Sequence, residues 1–516
     1  MVSMSATGEV FAGRTLELHI SREGIVLTSG GRVLNGDIER HYAEYADVAS
    51  AETGGPKGTE LAVRFLDGRP AWKVSGMQPE QAEWAEEMIN EAALSVQARD
   101  HPMFREMLDL PRLGTEIAAL GDPSAPRVGP LIDLVLVQAI LRRASDVHLE
   151  PVGDRVLVRY RIDGTLIEVG ALPLALRERL LGRLKVVGGM VTYRSDVPQE
   201  GRSTAKVGDR TVDARISILP TIHGEKGTVR LFDPQLAVMP IDRLGMAEKD
   251  VALFAELLSR PQGTILLTGP AGAGKTTTMY SALAHIHEQR RSLASICTIE
   301  DPVEHDLGMV SQTETDDQAG LTFAAGLRTI LRQDPEVIMI GEIRDAETAA
   351  IAIQAGLTGH LVLSTVHARS AAGVFARLID IGVEPFLVAS SVTAVVAQRL
   401  VRKVCEACAQ LARPDPALLA RIGMGAESAA GLRAGSGCLT CGRSGYSGRT
   451  GIFQVVPVDA TLRELVMRGM PVAELEAEVA RLGITSLREA ALAKVRQGLT
   501  TPDEVLRVLG AADADG

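Results

Sequence analysis

The sequence predicts an α/β protein built around a parallel, doubly wound sheet that carries a phosphate-binding loop. Two observations predict this fold. Residues 269–277 match the phosphate-loop pattern G-x-x-x-x-G-K-[ST], with the strand-like apolar run 264–268 before them and the helix-compatible run 275–289 after. Helices also alternate with short apolar segments, as the buried strands of a parallel sheet require, at Ile265, Ile296, Val337 and Leu361.

Composition and charge place the chain among ordinary globular proteins. Its 516 residues are 46% hydrophobic and 3% aromatic, which predicts about three or four domains with aliphatic cores. The net charge of −11 argues against nucleic acid as a partner and against a polybasic membrane anchor. The central charge-free apolar run, residues 385–398, is shorter than the ~18 residues of a spanning helix. No signal region opens the chain, so we expect it to be cytoplasmic, with no transmembrane segment of its own.

The beginning of the chain predicts a separate, β-rich module at residues 1–97. Apolar and polar residues alternate over residues 16–20, which is typical of an antiparallel strand with one buried face. An amphipathic helix is expected over residues 79–98. Strands capped by one such helix resemble a pleckstrin-homology-like (PH-like) module in architecture alone. Residues 98–124 are expected to form a linker.

Four further segments follow. They are an α+β domain, a nucleotide-binding α/β domain, a cysteine-bearing module and C-terminal helices, at residues 125–240, 241–400, 401–455 and 456–516. In the α+β domain we expect helices and strands over residues 131–143, 155–162, 174–188 and 211–232. The last helix has a clear start, because Thr501 suits an N-cap, Pro502 the first helical position and Glu504 the third.

The loop predicts how a nucleoside triphosphate would bind. Its glycines let successive N–H groups converge on phosphates, and the following helix adds the positive end of its dipole. Lys275 would reach the β- and γ-phosphates, and Thr276 would bind Mg²⁺. The expected contacts are Gly269, Pro270, Ala271, Gly272, Ala273, Gly274, Lys275, Thr276 and Thr277.

Two acidic groups that follow apolar strands are candidates for catalysis. Glu342 comes after the strand-like run 337–340, at the sheet edge where ligands of open α/β folds bind, and is the first choice for the carboxylate that orients water and helps to hold Mg²⁺. Glu304 is the competing general base, because Pro302 restricts the backbone and can aim it at the γ-phosphate. Three carboxylates within residues 300–304 would repel one another without a nearby cation. An ordinary exposed acid and a solvated acidic turn are the alternatives.

His360 and His367 bracket another apolar strand. Seven residues separate them, so they lie at opposite ends of the strand and cannot share one metal ion. We expect them to act separately, with His367 at the carboxyl end able to hydrogen-bond the γ-phosphate or the acidic group. A purely structural role is the alternative for each.

Four of the five cysteines form two C-x-x-C pairs with 29 residues between them. The pairs are Cys405 with Cys408 and Cys438 with Cys441. Two such turns complete a closed tetrahedral site, the arrangement of structural zinc, and reduced or redox-active thiols are the alternative. Cys297 stands alone in an apolar run and is expected to be a core residue.

Together these motifs resemble the secretion ATPase superfamily, specifically the ATPases of type II secretion and type IV pilus assembly. Residues 144–151 and 158–164 are similar to the family's second N-terminal domain. The regions around Asp301, Glu342 and His360 are similar to its Asp box, Walker B motif and His box. The resemblance implies a RecA-like P-loop core joined to an α+β, PAS-like second N-terminal domain.

The resemblance also implies residue roles and partners. Family arginines at the positions of Arg215 and Arg230 reach the γ-phosphate across a domain or subunit boundary. It implies a homohexameric, Mg²⁺-dependent ATPase, bound to the inner membrane only through partners, that acts on a platform protein during pilus or pseudopilus assembly. A membrane-anchored docking protein stays open as a second partner. The tetracysteine module favours the assembly branch over the retraction branch, whereas residues 1–97 depart from the family's usual first domain.

Two other classes of function stay open. A nucleic-acid motor of the same superfamily would need a basic groove, which the acidic balance of the chain does not favour. A nucleotide-gated scaffold would bind ATP and scarcely hydrolyse it, and the complete set of Lys275, Glu342 and Glu304 argues against that. The sequence does not separate type II secretion from type IV pilus assembly.

Overall fold

The computed structural model describes most of the chain after residue 101. The described residues are 102–207, 210–232, 238–291, 293–425 and 431–511, with seven strands and the helical positions Ala82, Ala85, Glu86 and Ile89 before them. The chain forms two compact units, Met1–Asp233 and Pro234–Gly516. Over these described stretches, no helix is long and apolar enough to cross a membrane.

The first unit opens with seven antiparallel strands, where the alternating pattern predicted β structure. Strands β1 to β7 are Ala6–Glu9, Arg14–Ile20, Gly24–Gly31, Glu39–Glu44, Val48–Gly54, Glu60–Phe65 and Trp72–Ser75. β1–β4 form one sheet and β5–β7 another. Leu61, Val63 and Phe65 of β6 are buried. Ile89 of the predicted helix is helical and buried, and much of that helix lies outside the described residues.

A six-stranded antiparallel sheet with three helices completes the first unit. Its elements are α1 Leu110–Leu120, α2 Val128–Leu141, β8 Asp146–Val152, β9 Arg155–Ile162, β10 Thr165–Pro173, α3 Arg177–Val187, β11 Gln199–Val207, β12 Arg210–Thr221 and β13 Gly224–Phe232. The strand order is β10-β9-β8-β13-β12-β11. The expected helices and strands of this region are therefore present. α2 begins at Val128, three residues before the expected start, because Pro130 is tolerated in a first turn.

The second unit begins with the alternating helices and strands that the sequence predicted. They are α4 Glu248–Ser259, β14 Gly263–Thr268, α5 Lys275–Gln289, β15 Ile296–Glu300, β16 Ser311–Glu314, α6 Phe323–Ile330, β17 Val337–Ile340, α7 Ala346–Leu357, β18 Leu361–Thr365, α8 Ala371–Asp380, α9 Pro385–Ser391 and β19 Val392–Val404. The cysteine region and C-terminal helices follow. They are β20 Ala409–Leu411, α10 Pro416–Arg421, β21 Arg433–Gly435, β22 Tyr446–Pro457, α11 Ala460–Met467, α12 Val472–Arg481, α13 Leu487–Arg496 and α14 Pro502–Leu509.

Seven strands of this unit form one sheet in the order β16-β15-β17-β18-β14-β19-β22. All neighbours are parallel except β19 and β22, which pair antiparallel. Every residue of β14, β15, β17 and β18 is buried, since helices cover both faces. Cys297 lies in β15 as a core residue, and burial raises the pKa of its thiol. The parallel arrangement brings the carboxyl ends of the central strands to one edge.

Candidate nucleotide-binding site

The phosphate loop joins the buried strand β14 to helix α5, as the pattern predicted. Gly269, Gly272 and Gly274 have φ values of 157°, 73° and 85°, a region of backbone space that favours glycine. Gly274 is the N-cap residue of α5. Lys275 Nζ donates to the carbonyl oxygens of Gly269 at 2.8 Å and Pro270 at 3.2 Å. The loop is thus preformed, and its lysine lies folded over it.

An open cavity of about 180 Å³ lies at the carboxyl edge of the sheet beside this loop. It brings together the predicted residues Lys275, Thr276, Glu304, Glu342 and His367. The remaining lining residues are Met279, Glu300, Asp301, Pro302, Phe323, Gly341 and Thr365. Residues far apart in sequence meet here because β14, β15, β17 and β18 all end at this edge.

Glu342, directly after β17, is held by two basic neighbours. The Arg344 guanidinium forms a close ion pair with one carboxylate oxygen, and His367 Nε2 lies 3.2 Å from the other. Burial raises the pKa of Glu342, but the hydrogen bond and charge of Arg344, together with His367, outweigh burial and lower it. Glu342 is therefore an ionised carboxylate with a fixed orientation.

The acidic run after β15 contains groups in different environments. Glu300 is buried and accepts hydrogen bonds from the Tyr280 hydroxyl, from Thr298 Oγ1 at 2.7 Å and from Gln312 Nε2 at 3.0 Å. Burial and the adjoining Glu300 raise the pKa of the Tyr280 hydroxyl, so it stays a donor. These three hydrogen bonds fix the position of the Glu300 carboxylate, so we assign Glu300 a structural role.

Like Glu300, the other two acids of this run line the cavity. Asp301 forms an ion pair with Arg344, whose Nη1 lies 3.2 Å from Asp301 Oδ2. Glu304 also lines the cavity. Neutral donors at Glu300 and the Arg344 guanidinium at Asp301 thus reduce the repulsion expected among the three carboxylates. Glu304 and Glu342 are the two predicted catalytic acids, and both lie in the same cavity.

The two histidines are at opposite ends of β18, as their spacing predicted. His360 Nδ1 lies 3.1 Å from the Ala355 carbonyl oxygen, at the junction of α7 and β18. His367 instead contacts Glu342 in the cavity. The contact of His360 is typical of a purely structural role. His367 is the histidine that lies with the candidate catalytic residues.

Three further residues at this site did not emerge from the sequence. Arg344 follows Glu342 by two positions, so its proximity was a usable signal. Gln398 and Arg399 of β19 lie more than 120 positions after the loop, yet Gln398 Nε2 donates to Ala273 O at 2.7 Å. Only the register of β19 beside β14 places them there.

Arg215 and Arg230 lie directly opposite each other on β12 and β13 of the first unit. Arg230 Nε is 3.0 Å from Asp146 Oδ1, and the Arg215 guanidinium lies over the Phe232 ring at 6.0 Å from its centroid. The two arginines therefore form one basic pair on a single sheet face. Their contact with a nucleotide stays a prediction.

The four cysteines of the two C-x-x-C pairs converge in the second unit. Their Sγ atoms all lie within 4.8 Å of one another. The separations are 3.8 Å for Cys405–Cys438 and Cys408–Cys441 and 3.7 Å for Cys438–Cys441. Sulfurs placed about 2.3 Å from one zinc ion at tetrahedral angles are about 3.8 Å apart, so the four thiols fit such an ion. A disulfide would need sulfurs about 2.05 Å apart, which these distances exclude.

Sequence comparison identifies a matching family and several similar proteins. The profile described as "Type II/IV secretion system protein" matches residues 123–507. The chain is 45% identical to the type II secretion system protein E of Pseudomonas aeruginosa, over 73% of this chain and 74% of that protein. It is 43% identical to the type IV pilus assembly ATPase PilB of Myxococcus xanthus, over 76% and 69% of the two chains. It is 42% identical to the type II secretion system ATPase E of Vibrio cholerae, over 73% and 74%.

Solved structures share the fold. The X-ray structure of the ATPase DotB from Legionella pneumophila matches with a TM-score of 0.53, over 72% of this chain and 94% of that one. DotB from Yersinia pseudotuberculosis matches with the same TM-score, over 73% and 92%. Both are 18% identical to this chain, a level at which the likeness concerns the fold alone.

Proposed function

The chain belongs to the family of type II/IV secretion system proteins and is an ATPase, and we propose that it hydrolyses Mg²⁺–ATP in a homohexameric motor. The motor would power pilus or pseudopilus assembly. The observation that carries this proposal is the cavity in which Lys275 and Thr276 of the phosphate loop lie with Glu342 and Glu304. Cation, hydroxyl and carboxylates are the groups that phosphoryl transfer to water needs.

The phosphate loop would bind the nucleotide. Backbone N–H groups of residues 269–277 and the N-terminus of α5 would receive the phosphates, with Lys275 at the β- and γ-phosphates. The Thr276 hydroxyl would hold Mg²⁺, which when bound neutralises charge on the phosphate oxygens. The positive φ values of three loop glycines support this assignment, because the backbone can approach the phosphates closely there.

Glu342 is our choice for the residue that orients the attacking water. Its ionised state and its fixed contacts with Arg344 and His367 support this choice. His367 would position Glu342 through their hydrogen bond. Glu304 stays the competing general base, because it lines the same cavity.

We assign the tetracysteine cluster to a structural zinc ion. Cys405, Cys408, Cys438 and Cys441 would hold it, and a closed four-thiolate site leaves no position for catalysis. The backbone N–H groups of Cys438 and Gly445 lie 3.2 and 3.3 Å from Cys441 Sγ, which fixes the position of this sulfur in the cluster. The ion would stiffen the surface that follows β19.

In the motor that we propose, the α+β domain closes on the nucleotide domain when ATP binds and reopens after hydrolysis. Arg215 and Arg230 would then contact, across the subunit boundary, the γ-phosphate bound by a neighbouring copy, where a guanidinium neutralises charge on the transferred group. The motion would act on an inner-membrane platform protein, so the chain would work from the cytoplasm through its partners. A membrane-anchored docking protein is the second partner that this function admits.

The proposal is tested by two isosteric variants, Glu342→Gln and Glu304→Gln. We expect Glu342→Gln to lower steady-state ATP turnover by at least about 100-fold while ATP still binds, because only the orienting charge is lost. Glu304→Gln should reduce turnover less. The reverse order would assign the general base to Glu304, and full activity in both variants would favour neither residue as a catalyst. ATP binding without turnover in the unaltered chain would favour the scaffold function instead.

A further inference from the structure

Two basic side chains lie on the phosphate loop without a carboxylate partner. Lys275 donates to two loop carbonyl oxygens. Arg399 of β19 donates from Nη1 to Gln398 O and from Nη2 to Arg369 O, each at 2.9 Å. In the described part of the chain, neither cation forms an ion pair. A half-buried positive charge bonded only to neutral oxygens is suited to an anionic ligand.

Strand register explains why Arg399 reaches the loop. β19 runs parallel to β14, and Ala397 lies beside Thr268, the last residue of β14. The next residues of β19 are therefore level with the start of the loop. A Cβ atom placed on Gly269 would lie 3.4 Å from Arg399 Nη1. Gln398 also holds the loop, through its hydrogen bond to the Ala273 carbonyl oxygen.

Arg344 provides the contrast. Its guanidinium pairs with Asp301 and Glu342, two lining residues of the cavity, and their carboxylates neutralise it. Among the described residues, Arg399 uses two of its five N–H donors on carbonyls, which leaves three for a ligand. Burial lowers the pKa of Arg399. Burial also lowers the pKa of Lys275 despite the attraction of Glu342, and the charge of Arg399 lowers it further.

We propose that Arg399 is a second phosphate-binding cation of this site, which binds the polyphosphate of ADP or ATP together with Lys275. The inference rests on the proposed function, because it requires a nucleotide at this loop. A guanidinium can donate two parallel hydrogen bonds to phosphate oxygens. Since β19 is fixed in the sheet, the cation is held in place before the ligand arrives, which limits the entropy lost on binding.

The test is ADP binding to the full chain by isothermal titration calorimetry. We expect Arg399→Gln to weaken ADP binding by about 10- to 100-fold, because charged hydrogen bonds to phosphate are lost. Arg399→Lys keeps the positive charge but cannot donate two parallel hydrogen bonds, so its ADP affinity should lie between those of Arg399→Gln and the unaltered chain. Lys403→Gln removes a cation four residues further along β19 and should stay within about twofold of the unaltered chain. Melting temperatures without nucleotide are measured for all four proteins.

An unchanged ADP affinity in Arg399→Gln would overturn the inference. So would equal losses in the Gln and Lys variants with equally lowered melting temperatures, because Arg399 would then only join backbone segments. Weaker ADP binding at an unchanged melting temperature supports it. If the unaltered chain bound no ADP, the proposed function would fail as well, whereas normal binding by that chain confines any failure to Arg399.

Discussion

Glu342 stays ionised because its basic neighbours offset its burial. Arg344 contributes both a hydrogen bond and charge, and His367 contributes less. Arg344 also binds Asp301, so one guanidinium connects the acids that follow two different strands. We infer that Arg344 is a positioning residue for the carboxylate that we assign to hydrolysis.

Arg344→Gln should raise the pKa of Glu342, because the donor and the positive charge that lower it are removed. Glu342 would then be protonated at higher pH, so the acidic limb of the kcat profile should move to higher pH. Arg328→Gln is the matched control, since Arg328 pairs with Glu347 on the exposed surface. pH–rate profiles of the three proteins make the measurement. An acidic limb that stays in place in Arg344→Gln would contradict this role.

The site residues that could be predicted are those that lie in short, local sequence patterns. The loop, its flanking strand and helix, and the strand-end Glu342 all follow from patterns within about ten residues. Glu300 was grouped with the other acids because its hydrogen-bond donors lie on separate elements. Gln398 and Arg399 were not predicted as site residues for the same reason, since strand register rather than sequence spacing brings them to the loop.

Among the elements, β19 connects the loop to the cysteine region. Gln398 donates to the loop and Arg399 follows it, while Arg402, three residues further on, donates from Nη2 to the buried Glu504 at 2.7 Å. The Arg402 guanidinium also lies over the Tyr446 ring, 4.1 Å from its centroid. One strand therefore carries side chains to both regions.

The start of α14 combines the predicted local cap with tertiary contacts. Thr501 is the N-cap, and its side chain accepts from the Glu504 backbone N–H at 3.2 Å, as expected. The Glu504 carboxylate does not complete a capping box. It accepts instead from Arg402 and Arg507, because two guanidinium groups are stronger partners than one backbone N–H.

Glu504→Gln should destabilise the second unit by about 3 kcal/mol, because Arg402 loses the carboxylate that neutralises it in a buried site. Burial raises the pKa of Glu504, but the hydrogen bonds from Arg507 and Arg402 and the charge of Arg402 outweigh the effect of burial. The pKa of Glu504 is therefore lowered. The carboxylate therefore stabilises the fold at neutral pH, and that contribution is lost as the pH falls below its ordinary pKa.

Chemical denaturation of this variant at neutral and acidic pH makes the measurement. The difference from the unaltered chain should shrink towards acidic pH. Glu464→Gln is the matched control, because Glu464 pairs with Arg468 on the surface and should cost at most about 0.5 kcal/mol. Equal costs for the two variants would contradict the buried role of Glu504.

Gly356→Ala tests the packing of α7 against β14. Alanine ordinarily stabilises a helix relative to glycine by up to about 1 kcal/mol. Here the new Cβ would lie 2.3 Å from Thr264 Oγ1 and 2.5 Å from Ser391 Oγ, two hydroxyls that share a buried hydrogen bond. We expect a loss of about 1–3 kcal/mol in the free energy of unfolding.

Gly182→Ala in α3 is the control for that variant. A Cβ at Gly182 would meet nothing within 4 Å, so alanine should be neutral or stabilising there. Thermal unfolding of both variants measures the difference. A stabilised Gly356→Ala protein would contradict the close packing of α7.

The sequence predicted which kinds of element the protein contains better than it predicted how those elements are arranged. The parallel sheet and the cysteine cluster follow from apolar runs and from spacing, and both are present. The sheet order, with β18 between β14 and β17, did not follow, because it depends on which long-range pairings bury the most apolar surface. The domain boundaries and the PH-like character of residues 1–97 stay predictions.

We propose that this ATPase assembles, and that Arg215 and Arg230 of one copy complete the phosphate-loop site of another copy. The most direct test is steady-state ATP turnover per chain against protein concentration, with Glu342→Gln measured beside the unaltered chain. We expect turnover per chain to rise with concentration, because Arg215 and Arg230 would act across a subunit boundary, and to disappear in Glu342→Gln. Turnover that is independent of concentration and survives in Glu342→Gln would contradict both the role of that carboxylate and the assembly of the motor.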